Sequence, residues 1–480
     1  MEYIIKNRKP EKLFAFFEEI SAIPRGSGNE KGIADYIENF ARSRGLFCVR
    51  DEINNVFVRI EASAGRENEG AILLQGHTDM VCEKNSDTEH DFEKDPLKLY
   101  IDEKGWLRAK GTTLGADNGV AVALMLLVLD GGLESHPAVE CLFTTGEEVG
   151  LDGAKAFDYR LVKATGMINL DSEAEGIVTV SCAGGIRSDL MMTPDMIPFE
   201  GRSVEIKISG LAGGHSGAEI NCGRANANKL MGRILATLFS QMNYNLITIE
   251  GGSKDNAIPR ECRAVIAVSD DSVERAKAIV KTEADEIHAE LSDCDKSMVV
   301  VCTDREPAEK MLDDKYTRFA VAIPTVATNG VMAMSRDIEG LVEYSRNLGV
   351  IKCDGEKIEF IFSSRSSTES RIDASCTELD TLAALTGCET KHYSRYPGWK
   401  YEKESLLRDK YIESARRVLG KEAIVEAIHA GLECGIIKSS IPCMDIISIG
   451  PDMCGIHSPD EALDLDSFER LWYTIEDILK

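Results

Sequence analysis

Apolar residues recur at helical spacing over residues 10–20 and 31–44, and the turn-rich segment IPRGSGN separates the two. Apolar runs of strand length follow at 56–61, 71–74, 139–145 and 166–170. Residues 91–110 read as a hairpin-bearing insertion with Trp106 near its end. The apolar stretch 120–130 follows Asp117-Asn118-Gly119, residue types that suit a helix start. Strands alternating with helices in this way predict an α/β fold, with a mostly parallel sheet flanked by helices on both faces.

The texture changes near residue 183. Residues 202–211 alternate polar and apolar positions, run into AGGHSG, and lead to a helical stretch at 224–239. Strands are expected at 246–250, 262–268, 341–344 and 357–363, with a helix after Ser370. Residues 308–323 have helical spacing through Leu312, Tyr316, Phe319 and Ile323, and Pro324 is expected to stop that helix. Past Lys391 the α/β texture returns: helical at 403–419, strands at 423–429 and 444–450, and a closing helix at 468–479. The expected architecture is a discontinuous catalytic domain, residues 1–183 and 394–480, interrupted by an inserted α+β domain at 184–393.

At 480 residues the chain exceeds what one hydrophobic core usually holds, which fits two domains. Its formal net charge of -26 argues against a nucleic-acid partner, whose binding depends on clustered Lys and Arg. The 14 cysteines are scattered singly, without a C-x-x-C pair, and Cys141 and Cys302 lie inside apolar runs as small hydrophobes would. That usage fits a reducing cytosol. The opening MEYIIKNRKPEKLF lacks the apolar core of a signal peptide, and the longest apolar run, 119–129, is shorter than the roughly 20 residues of a membrane span. A soluble, cytoplasmic protein with no membrane partner is expected.

Four apolar runs lead into ligand-type side chains: His77 with Asp79, Glu147 with Glu148, Asp171, and His457. Asp117 joins them from a turn. Open parallel sheets bind ligands just beyond the carboxyl ends of their strands, so runs that end this way would gather imidazoles and carboxylates in one crevice. His77 and Asp79 point to the same side of extended backbone, where a carboxylate can orient a metal-bound imidazole. Mixed N/O donors suit zinc, manganese or cobalt, and the set is large enough for two ions about 3.5–4 Å apart sharing a carboxylate. Either of the adjacent Glu147 and Glu148 could bind metal while the other takes a proton from a metal-bound water, whose pKa falls to about 7 on zinc. H-E-x-x-H, P-loop, G-x-S-x-G and EF-hand motifs are all missing. His90, His136, His288 and His392 read as ordinary surface or joint residues, and His429 stays open.

The segments GHTDMVCEK, RAKGTTLGADNGVA, TTGEEVGLDGA, NLDSE, AGGHSG, GGSKDNAIPRE, RSSTESR, YPGW, HAGLECG and SIGPDMCGIHSPDE occur in order along nearly the whole chain. Together they resemble the bacterial aminoacyl-histidine dipeptidases, also called cytosolic non-specific or Xaa-His dipeptidases. These belong to the dinuclear-zinc family that includes carboxypeptidase G and the aminoacylases. The resemblance implies a zinc-peptidase-like sheet with the inserted domain as a lid. It implies that His77 and Asp171 bind one metal, Glu148 and His457 the other, and Asp117 both. Asp79 would orient His77, and a metal-bridged hydroxide deprotonated by Glu147 would attack the peptide carbonyl. His215 would face the developing oxyanion, and Asn256 and Arg365 would hold the substrate's backbone and carboxylate. The peptide bond after Asp117 would be cis.

The activity implied is metal-dependent hydrolysis of unblocked L-dipeptides, Xaa-His among them, with a small peptide as the partner. An N-acyl amino-acid deacylase on the same metal site is the runner-up. A non-catalytic binding protein is disfavoured by the complete ligand set. Lid strands often pair between subunits in the wider family, which leaves a homodimer open.

Overall fold

The expected runs 71–74, 139–145, 166–170 and 444–450 become four neighbouring parallel strands. In sheet order these are Val139–Thr144, Ile72–His77, Gly166–Asn169 and Asp445–Ser448. The computed structural model describes residues 3–480, so Met1 and Glu2 of the N-terminal segment lie outside the described residues. The four strands are buried almost throughout, which is why they read as continuous apolar runs and not as alternating ones. Phe47–Arg50 and Val56–Ile60 complete one side of the sheet in antiparallel pairing; Ile177–Cys182 and Ile424–Ile428 complete the other.

The chain divides into two compact units. One comprises the residues up to Ser181 together with Trp399–Ala427 and Leu432–Lys480; the other comprises Cys182–Gly398 and Ile428–Gly431. In the first, the helix Ala116–Leu129 is buried on every side from Asn118 onward, as its unbroken apolar sequence requires. The helix Leu465–Leu479 buries Leu465, Phe468, Leu471, Trp472, Ile475 and Ile478, a stripe at helical spacing. Its Phe468 ring meets Phe14 of the helix Glu11–Ser21 edge-on at 5.7 Å, which docks the two ends of the chain together.

The predicted hairpin within 91–110 is present as Leu99–Ile101 paired with Trp106–Ala109. It forms a small antiparallel sheet with Ala462–Asp464 and Met453–Cys454. That sheet ties the segment before Asp117 to the segment around His457.

The second unit is built on one large antiparallel sheet. Its strand order is Val299–Arg305, Arg202–Ser209, Cys262–Val268, Asn245–Gly251, Val342–Cys353, Ile358–Ser366, Gly184–Met192 and Glu389–Tyr396, and Gly330–Met334 also pairs with Val342–Cys353. The helices Ala227–Gln241, Val273–Glu290, Asp314–Val326 and Glu369–Thr386 contribute Met231, Ile279, Val321 and Leu379 to its core. Two expectations change here. Residues Lys310–Leu312 form a strand, and the helix begins only at Asp314, where Asp313 accepts the Lys315 amide. The helix also runs through Pro324 to Val326, because a proline this near the end disturbs little of what remains. Cys141 is fully buried as expected, whereas Cys302 is only partly so, being on the outermost strand of its sheet.

Candidate metal centre

The carboxyl ends of the parallel strands deliver the expected side chains to one place in the first unit. His77 is the last residue of its strand and is 1% exposed. Its Nε2 lies 3.0 Å from Asp117 Oδ1 and 3.3 Å from Asp171 Oδ1. His457 Nε2 lies 3.2 Å from Asp117 Oδ2 and 3.0 Å from Glu148 Oε1. The two oxygens of Asp117 thus face different imidazoles. Three donor sets have ligand atoms within 4.8 Å of one another: His77, Asp117 and Asp171; Asp117, Glu148 and His457; and His77, Glu147 and Glu148.

Local structure explains how each side chain arrives. Gly146 adopts a left-handed conformation (φ 59°) that turns the chain from the strand Val139–Thr144 into the short helix Glu147–Gly150. Asp79 is fully buried; its Oδ1 lies 3.3 Å from His77 Nδ1 and accepts the Glu147 amide at 3.1 Å, while Oδ2 accepts from Ser27 Oγ at 2.8 Å. The Asp79 backbone carbonyl also faces His77 Nδ1, at 3.2 Å, and the Asp79 carboxylate holds the turn carrying the two glutamates. The Asp117-Asn118 peptide bond is cis, and Asn118 Nδ2 donates to Asp171 Oδ1 at 2.7 Å.

Charge is crowded here. Burial pushes the Glu147 carboxyl up to about 9, with His77 opposing and Asp171, Glu433 and Glu148 adding to the rise. Asp171 is pushed up to about 7, first by burial. Hydrogen bonds to Asp117 and Glu148 lift His457 to about 10. Burial pulls His77 down, but Asp171, Asp117 and Asp79 outweigh it and hold the imidazole well above its usual value. These carboxylates and imidazoles hold protons among themselves, and divalent cations in the same place would favour the opposite forms, ionised carboxylates and neutral imidazoles. The donor types and their division into sets sharing Asp117 fit a pair of such cations.

Two charged residues that sequence reasoning passed over hold the Asp117 turn. Glu461, 2% exposed, accepts the backbone amides of Leu114, Gly115, Ala116 and Asp117 at 2.6, 2.9, 2.7 and 3.3 Å. Arg25, 1% exposed, donates to the carbonyls of Thr78 and Asp79 at 3.0 and 3.1 Å and to that of Gly115. The spacing of Glu461 four residues after His457 was the available signal. Arg25, inside a turn-rich segment, carried none.

The remaining predicted residues lie in the second unit. His215 is half-buried, and its Nδ1 accepts the amides of Gly217 and Ala218 at 3.2 and 3.1 Å. Two donors on Nδ1 leave the ring proton on Nε2, which is then free to donate. Burial, helped by Arg365, lowers the His215 pKa and keeps it neutral. Arg365 Nη1 donates to Tyr396 Oη at 2.9 Å, and its buried Nε has no partner among the described residues. The Asn256 carbonyl accepts the Ser216 amide at 2.9 Å, next to His215.

Comparison with known proteins places the chain in a family. The profile of peptidase family M20/M25/M40 matches residues 73–480. The chain is 39% identical over 477 residues to the cytosol non-specific dipeptidase of Escherichia coli (strain K12), covering 98% of this chain and 97% of that protein. The crystal structure of aminoacylhistidine dipeptidase from Vibrio alginolyticus superposes with a TM-score of 0.93 at 36% identity, over 98% of this chain and 97% of the other. A tripeptidase from Staphylococcus aureus shares the fold at a TM-score of 0.55 and 18% identity. A match that begins at the strand carrying His77 and runs past His457 takes in the whole cluster, and the chain belongs to the M20/M25/M40 peptidases, hydrolases acting on peptide bonds.

Proposed function

We propose that the chain is a metal-dependent dipeptidase that hydrolyses unblocked L-dipeptides, Xaa-His among them, in the cytoplasm. The observation that carries the metal half of this reading is Asp117, whose two oxygens face His77 and His457 separately. The dipeptide half is supported by what the Escherichia coli and Vibrio alginolyticus relatives are named for.

In this reading His77 and Asp171 would hold one divalent ion and Glu148 and His457 the other, with Asp117 a ligand available to both. Zinc is the expected ion, with manganese or cobalt as alternatives. Two such ions supply Lewis acidity toward the scissile carbonyl and acidify water. Asp79 keeps the His77 ring in register. Glu147 takes the proton of the attacking water at its carboxylate and returns it to the nitrogen of the departing amine. For the second unit, acting as a lid, the motif-based roles carry forward. His215 donates from Nε2 to the carbonyl oxygen as it becomes an oxyanion. Arg365 pairs with the substrate carboxylate and Asn256 with its backbone.

The test compares a free dipeptide with an N-acetyl amino acid, using metal-stripped protein before and after addition of Zn²⁺, Mn²⁺ or Co²⁺. Restored cleavage of the dipeptide alone supports the proposal. Cleavage of the acetylated compound instead would make the protein a deacylase, and no cleavage under any metal would end the hydrolytic reading.

A further inference from the structure

Beneath the candidate metal centre runs a row of polar side chains that the proposed chemistry does not use. Strand register sets Gln75 beside Asn169, and Asn169 beside Ser448, across three adjacent parallel strands. Each residue is 0% exposed. Gln75 and Asn169 each stand two positions before a ligand, His77 and Asp171, on the same side of the chain.

The hydrogen bonds in this row all point one way. Ser448 Oγ donates to Asn169 Oδ1 at 2.5 Å, and Asn169 Nδ2 donates to Gln75 Oε1 at 2.7 Å. Gln75 Nε2 then donates to Glu433 Oε2, from the start of the helix Glu433–Ser440, and at 3.1 Å to Thr144 Oγ1. Thr144 Oγ1, at the end of the strand next to that of Gln75, donates to the same oxygen at 2.8 Å. Glu433 is itself 0% exposed, and its other oxygen, Oε1, has no partner among the described residues. Glu433 Oε2 is therefore where the row's two shortest terminal donations converge; the alternatives left to these donors are the longer Gln75–Thr144 contact and the Gly76 carbonyl, 3.4 Å from Thr144 Oγ1. A buried row of this kind stays ordered only while its last acceptor is present, since each amide would otherwise be free to flip or be left unsatisfied.

We infer that Glu433 is a positioning residue for the metal centre: by terminating this chain of donors at Oε2 it locks the spacing of the strand ends that present His77, Asp171 and the Glu147-Glu148 turn. Because a single oxygen does the accepting, the carbonyl of a glutamine can replace it. The role is that of an acceptor, not of a charge.

This inference rests on the metal-centre reading, and the two fail differently. Zn²⁺ affinity is measured by titrating metal-stripped protein against a competing chromophoric chelator, well below the melting temperature of each variant. Glu433→Gln is expected to bind Zn²⁺ within about threefold of the wild type, and Glu433→Met to bind it about 10–100-fold more weakly. Gln75→Met, which cuts the row one link earlier, should weaken binding in the same range and decides the matter if Glu433→Met does not fold. Native affinity in a folded Glu433→Met or Gln75→Met protein would overturn the inference, as would a tenfold loss in Glu433→Gln, which would mean that the charge matters. Wild-type protein that takes up no Zn²⁺ would instead overturn the metal-centre reading itself.

Discussion

Glu461 and Arg25 grip the same turn by opposite polarities: the carboxylate collects the amide protons of Leu114 to Asp117, and the guanidinium takes the Gly115 carbonyl. Both are buried, so neither charge is solvated when its contacts are lost. Glu461→Ala should lower stability by more than about 3 kcal/mol, since it strands several buried amides and a buried cation. Urea unfolding of the metal-free protein would measure this. Glu461→Gln, which keeps one good acceptor, should fall between that variant and the wild type.

Glu147→Gln should keep its bound metal and lose about 10²–10⁴ in kcat, because it removes a proton acceptor without removing a ligand. Metal content per chain and turnover of a free dipeptide check the two halves independently. Full activity would take Glu147 out of the role of base.

The two histidines should differ when truncated. His77 is enclosed, whereas the His457 side chain is 45% exposed. His457→Ala is therefore expected to retain one metal per chain and a near-native melting temperature. His77→Ala, which leaves Asp79, Asp117 and Asp171 crowded without their imidazole, should lose both metal and stability. Elemental analysis after gel filtration, with thermal melting, distinguishes them.

His429 supplies a pH dependence within the second unit. Its Nε2 meets Ser345 Oγ at 2.7 Å, and burial, with Arg365 nearby, lowers its pKa to about 3. Unfolded, the same imidazole titrates near 6.5. Above that value the residue costs nothing. As pH falls from about 6.5 toward 3 the unfolded chain binds a proton that the folded one refuses, and stability drops by up to about 1.4 kcal/mol per pH unit. His429→Asn should thus lose about 2 kcal/mol less than the wild type between pH 7 and pH 5, read from urea unfolding at each pH.

Most of the clustered side chains were legible in the sequence because His77, Glu147, Glu148, Asp171 and His457 follow apolar runs, and burial on both faces of a parallel sheet makes such runs unbroken; Asp117 comes from a turn. What supports the ligands was not. Gln75 ends its apolar run with polarity that reads as a strand end, yet it lies within the strand Ile72–His77; Asn169 falls inside the expected run 166–170 and closes its strand, and both are fully buried. Their meaning depends on register between strands far apart in the chain, which no local pattern encodes. The helix Val273–Glu290 and the strand Val299–Arg305 were missed for a different reason: the helix's polar positions outnumber its apolar ones, and the strand is partly exposed along its length. Nor did anything in HAGLECG mark Ile428–Gly431 as part of the second unit.

The strand Asp445–Ser448 lies beside Gly166–Asn169, and the hairpin that follows it carries His457 and Glu461. A chain still emerging from the ribosome therefore has four of its five proposed ligands long before the last imidazole and the clamp on the Asp117 turn. On the proposed reading, a fragment cut before His457 lacks that imidazole and the Glu461 acceptor of the Asp117 turn, and is expected to bind metal more weakly than the 480-residue chain.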